Sequence, residues 1–131
     1  SIEALDSFST ALNNKVHVDN LILAPVHNLM NRDSLAQIAD FLLPTQGVDT
    51  VVAFGIRRNK VILSARSNNS SIHIGKLLST NFPEGLAGGH KSLGGGQIPF
   101  NIITQENSEI EEENHELIMN ETLKLLQDIF S

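Results

Sequence analysis

Five of the nine glycines fall within ten consecutive residues, Ala87-Gly88-Gly89-His90-Lys91-Ser92-Leu93-Gly94-Gly95-Gly96. Glycine pairs are chosen where a backbone needs φ > 0, or where a ligand must come closer than a Cβ allows. Bare amides can then line a hollow for an anion, with Lys91 supplying charge and His90 a polar tip. The order excludes a Walker A loop, in which Gly-Lys-Ser/Thr opens a helix, because His90 separates Gly89 from Lys91. The glycine spacing also excludes a dinucleotide-binding fingerprint.

Charge singles out the same region. The chain of 131 residues has a net charge of −6, which argues against a nucleic-acid partner if it is spread evenly. It is not. Residues 55–100 hold six bases (Arg57, Arg58, Lys60, Arg66, Lys76 and Lys91) and the single acid Glu84, a local balance of +5. The segments on either side are acidic, at −4 for residues 1–54 and −7 for residues 101–131. The local field at the glycine run therefore favours an anion. The length suits a single domain with a real core. Cysteine is absent, so neither a disulfide framework nor a thiolate metal site is available. No apolar run approaches the ~20 residues needed to span a bilayer. With no signal-peptide character at Ser1-Ile2-Glu3-Ala4, a cytoplasmic location without membrane partners is expected. The missing initiator Met suggests a piece of a longer protein.

The periodicity predicts a helix over 2–14 with Leu5, Phe8 and Leu12 on one face, and a buried strand over 20–26. A helix over 34–43 follows, with Asp33 as N-cap and Leu35, Ile38, Ala39 and Leu42 inward. The β-branched runs 50–56 and 60–65 read as a hairpin with a three-residue connection, Arg57-Arg58-Asn59. Ser71 is expected to cap a helix over 72–82 that Pro83-Glu84-Gly85 ends. Beyond the glycine run, a last strand over 97–104 precedes an acidic stretch and a helix over about 109–130. That helix carries Ile118, Thr122, Leu125 and Ile129 on one face and Glu111-Glu112-Glu113 near its start. The fold class expected is α/β, a mixed β-sheet flanked by helices in a single compact domain over 1–131.

A metallohydrolase complete in this chain is not expected. Asp19, Asp33, Asp40 and Asp49 are scattered singly, and no His pair has metal-ligand spacing. His17 reads as a solvated loop residue, His27 and His73 are similarly without a site pattern, and His115 sits on a charged helix. No nucleophile-elbow motif is seen.

The glycine run resembles the GGGHKxAAGG signature of the domain that follows the catalytic half in DHH-family phosphoesterases. Gly88, Gly89, His90, Lys91, Gly95 and Gly96 agree, while Ala87 stands at the first glycine and Leu93 and Gly94 stand at the two alanines. Ser64-Ala65-Arg66-Ser67 is similar to the Ser-x-Arg-Ser at the end of a family strand. The motif-bearing core spans residues 20–104. The resemblance implies that the catalytic N-terminal domain, whose Asp and His residues hold manganese (or magnesium), lies outside this chain. No catalytic residue, metal ligand or cofactor is then expected here, and activity of the fragment alone is not. It implies that Arg66 makes a forked contact with a substrate phosphate, and that His90 and Lys91 touch phosphate or sugar. The glycines Gly88, Gly89, Gly95 and Gly96 form the cradle, and Ser67 and Ser92 are secondary donors. The implied partners are an oligonucleotide or small nucleotide and the DHH domain of the same protein. Two alternatives stay open: a nucleic-acid-binding module without hydrolysis, as in the related domain of alanyl-tRNA synthetases, and a homo-dimerising domain that uses the C-terminal helix. The lack of Trp and Tyr leaves little for base stacking.

Overall fold

The computed structural model describes residues 1–104 and 114–131. Its centre is a pair of long strands, β3 (Thr50–Arg57) and β4 (Lys60–Ser67), whose β-branched residues alternate between two apolar layers. Val52, Phe54, Val61, Leu63 and Ala65 point into one core, and Val51, Ala53 and Ile62 into the other. β2 (Leu21–Val26) lies parallel to β3 and is buried along its whole length, as a central strand with two covered faces must be. The remaining strands are β1 (Val16–Val18), β5 (Ala87–Gly89) and β6 (Leu93–Pro99). The sheet order is β1-β2-β3-β4-β6-β5, and every pairing except β2–β3 is antiparallel. A mixed sheet flanked by helices is thus the fold.

One face is covered by α1 (Ile2–Asn14) and α2 (Asp33–Leu42), the other by α3 (Ile74–Asn81), α4 (Phe100–Ile103) and α5 (His115–Phe130). In α2 the four expected residues Leu35, Ile38, Ala39 and Leu42 are all buried. Asp33 is not its cap: it occupies the first turn, and the Asn31 side chain accepts from its amide at 2.9 Å. In α1 the buried positions are Ser7 and Ala11, whereas Leu5 stays 70% exposed. Small residues let that helix lie close on β2, which turns the larger apolar ones aside. Phe8 packs edge-on against Phe41 of α2 at 5.6 Å.

The β3–β4 turn is tighter than expected. Arg57 pairs with Lys60, which leaves only Arg58 and Asn59 in the turn, at φ of 52° and 63°. Both central residues are left-handed, as a type I′ turn requires. His73, rather than Ser71, caps α3, its Nδ1 accepting from the Lys76 amide at 3.1 Å. The last strand begins earlier than expected, at Leu93, and Pro99 ends it, so Phe100–Ile103 turn into a short helix. Asn114 caps α5, whose Ile118, Met119, Thr122 and Leu126 are buried against the sheet. The expected helix start at 109 and Glu111-Glu112-Glu113 lie outside the described residues.

Candidate functional site

The glycine run is not a loop but a hairpin, β5 and β6, turning through Lys91-Ser92. His90 donates its amide to the Leu93 carbonyl at 2.8 Å, and Gln97 donates to Leu86 at 3.1 Å. The expected nest of free amides is therefore replaced by a strand ladder. The carbonyls of the turn are also engaged: Lys91 and His90 accept from the Ile74 and Gly75 amides at 2.9 and 2.8 Å. These are the first amides of α3, groups that a helix cannot satisfy internally. The hairpin thus caps the helix, and close packing rather than ligand contact accounts for much of its glycine content. At Gly89, φ is +151° and an added Cβ would lie 2.5 Å from the Gly94 Cα.

Pairing with β4 arranges the hairpin into two rows on the α2 side of the sheet. Arg66 is opposite Leu93, and the hairpin sets Leu93 opposite His90. Arg66 and His90 are therefore two strand spacings apart, roughly 10 Å. In the next row Ser64 is opposite Gly95, and Gly95 is opposite Gly88. That row has almost no side-chain bulk, and nothing lies within 4 Å of where a Gly88 Cβ would stand. Ser64 and Gly95 of that row floor a trough of about 540 Å³ between α2 and the β5–β6 edge, and Gly88 lies beyond its lining. Arg32, Asp33 and Ala36 form its helix wall, Gly85 and Leu86 line it, and Lys60, Ile62, Ser64, Gly95, Gly96 and Gln97 run along its base.

Arg66 follows Ser64 on the same face of β4, just outside the residues that line the trough. Its Nε donates to Asp40 Oδ1 at 2.9 Å, while Nη1 donates to Ser64 Oγ at 3.3 Å and to the Ala65 carbonyl at 2.9 Å. Its side chain is 17% exposed and that of Asp40 64%. Nη2 has no partner among the described residues. The guanidinium is thus fixed by one exposed carboxylate, with an edge left for an anion.

Other expected contacts are placed differently. Ser67 is buried on the opposite face, its Oγ 2.9 Å from Thr50 Oγ1 and accepting from the Asn69 amide at 3.1 Å. The Lys91 ammonium donates to the carbonyls of Asn69, Ser70 and Ile72. It therefore ties the 69–72 loop to the hairpin. Ser92 offers its carbonyl to the Ser67 amide at 2.9 Å. The His90 side chain is exposed and forms no hydrogen bond among the described residues. From sequence, Asp40, Arg32 and Gln97 are assigned no part in the site, and Ser64 only a place in the Ser-x-Arg-Ser match. Strand alternation from Arg66 was signal enough for Ser64, two residues earlier; the α2 residues had none.

Among the described residues no group of three or more His, Asp or Glu is arranged to hold a metal ion. No described helix is long and apolar enough to cross a membrane.

The model of the DHHA1 domain matches residues 13–120. An uncharacterized protein of Methanocaldococcus jannaschii is 34% identical over 104 residues, which cover 79% of this chain and 21% of that protein. Among solved structures, an exopolyphosphatase-related protein from Bacteroides fragilis superposes with a TM-score of 0.65 at 15% identity, over 98% of this chain and 35% of that one. The C-Ala domain of Aquifex aeolicus alanyl-tRNA synthetase gives 0.54 at 19% identity, over 90% of this chain and 98% of that domain. A pGpG-specific phosphodiesterase from Vibrio cholerae gives 0.54 at 15% identity, over 93% of this chain and 40% of that one. The chain thus spans about a fifth of its curated relative and about a third of the Bacteroides protein.

Proposed function

This chain belongs to the DHHA1 domain family, and we propose that it holds the phosphate-bearing part of a nucleotide or short oligonucleotide for hydrolysis by another segment of a longer phosphoesterase. The observation that carries this reading is Arg66. Asp40 and Ser64 fix its guanidinium beside a floor with almost no side chains, and Nη2 is left without a partner among the described residues. Arg66 takes the phosphate, and His90, in the same cross-strand row, reaches phosphate or sugar. Gly88 admits the ligand to the backbone, and Gly95 and Gly96, whose Cβ positions are occupied by neighbouring backbone, keep the strands beneath it close. Lys91 adds positive potential while Gly89, Ser67 and Ser92 hold the hairpin in place. Manganese or magnesium would be ligated outside this domain.

The likeness to a phosphodiesterase and to an exopolyphosphatase-related protein supports hydrolysis in the longer protein. The likeness to nearly the whole C-Ala domain supports the second reading, binding without hydrolysis. Both need the same anion grip. The test is fluorescence anisotropy of labelled mono- and dinucleotides against wild type and Arg66→Gln at low salt. Removing a charge-assisted hydrogen bond of about 1.5–3 kcal/mol lowers affinity roughly 10- to 150-fold. Equal affinity, with an unchanged melting temperature, refutes the reading.

A further inference from the structure

The residues of β4 on the α2 side run Lys60, Ile62, Ser64, Arg66, so the strand carries a cation at each end of that face. At the Lys60 end a second hollow, of about 470 Å³, is lined by Arg32, Arg57, Arg58, Lys60, Ile62 and Gln97. Four of these six residues are cationic and none is acidic. Arg32, Lys60, Ile62 and Gln97 also line the glycine-floored trough, so the two hollows are continuous. Among the described residues none of the four cations is in an ion pair.

Two features of this place work against stability. Arg57 and Lys60 are direct cross-strand partners, and like charges in that position repel. Arg58 occupies a left-handed turn position at φ 52°, where Asn or Gly is preferred. Local rules broken together, with no gain to the fold, mark a site where the chain serves something else.

We infer that this hollow is a second phosphate subsite, which seats an internal backbone phosphate of a single-stranded nucleic acid whose terminal phosphate is at Arg66. The inference rests on the Arg66 reading for its first subsite only. Six residues of strand separate Lys60 from Arg66, roughly 20 Å at about 3.4 Å each. That is about six stacked nucleotides at roughly 3.4 Å per nucleotide. A mononucleotide cannot bridge it. The stretch between carries Ala36, Ile62, Leu86 and Gln97, with Asp33 on the helix wall. An inorganic polyphosphate would set uncompensated charge over these apolar and acidic groups, whereas a nucleotide chain lays sugars and bases there.

The experiment measures anisotropy of oligothymidylates of one to eight nucleotides at several salt concentrations. It compares wild type, Arg57→Gln/Arg58→Asn and Arg66→Gln, with Lys60→Gln as a second way to remove charge. Asn at 58 keeps the left-handed turn. Wild-type affinity should climb at least tenfold from two to about six nucleotides. The double variant should flatten that climb and leave dinucleotide affinity unchanged. Its slope of log affinity against log salt should fall by about 0.7, since one single-strand phosphate is no longer neutralised. A wild-type affinity independent of length overturns the subsite. So does an undiminished climb in both charge-removal variants, or inorganic polyphosphate competing as well as a hexanucleotide at equal charge. Arg66→Gln should lower every length by a common factor; if it lowers none while the climb persists, the Arg66 reading fails and this subsite stands.

Discussion

Replacing Gly75 by Ala sets two physical rules against each other and so tests how the glycine hairpin is built. Gly75 lies in the first turn of α3, and its φ is not positive, so alanine is conformationally allowed. Helix propensity alone makes the change stabilising by about 1 kcal/mol. The packing demands the opposite. An added Cβ would stand 2.5 Å from the Gly89 carbonyl carbon, where ordinary carbon contacts are about 3.5–4.0 Å. The helix must then retreat from β5 by about 1 Å. Overpacking of this kind costs about 1–3 kcal/mol. The retreat also stretches the bonds from the Ile74 and Gly75 amides to the hairpin carbonyls, each of which contributes about 1 kcal/mol. Against the propensity gain, the net loss is about 2–3 kcal/mol. At about 2.1 cal/mol/K of unfolding entropy per residue, a domain of this size loses about 3–4 °C per kcal/mol. A melt followed by circular dichroism should therefore fall by about 6–12 °C. Wild-type stability or better would refute the capping role given to the hairpin.

Two further outcomes separate packing from ligand contact. Asp40→Asn keeps an acceptor for Arg66 Nε but removes the negative charge beside it, so nucleotide affinity at low salt should rise a few-fold, while stability in urea unfolding moves by less than about 1 kcal/mol because the Asp40 carboxylate is largely exposed and its acceptor is kept; weaker binding would mean that Asp40 is more than a partner for Arg66. Gly88→Ala meets no atom within 4 Å, so its melting temperature should stay within about 2 °C of wild type, an effect of about 0.5 kcal/mol. Its nucleotide affinity should nevertheless drop, and an unchanged affinity would show that no ligand approaches the backbone there.

Elements whose pattern carries a single period were legible from the residues alone. β3, β4 and the inner face of α2 are such cases, because alternation or helical spacing is forced by a core on both sides of the sheet. Elements defined by contact were not. β1 is three residues long and is a strand only because β2 offers it an edge. The buried face of α1 is set by Ser7 and Ala11, which no hydrophobicity count selects. Arg66 could be read from its neighbours, but Asp40 stands 26 residues earlier on another element, and only the fold joins them. The glycines show why motif reading stops short. Gly75, Gly89, Gly94, Gly95 and Gly96 each lack room for a Cβ because backbone or core atoms press on them, a demand that makes strands of a run whose propensity favours a turn. Gly88 alone in the hairpin looks onto open space. A glycine kept where a side chain would fit is the one whose smallness packing does not explain, and it lies in the row with Gly95 and Ser64 that leads to Arg66. The ligand signal in the run is therefore one residue and its row, and the rest of the run is the means of holding that row flat against α3.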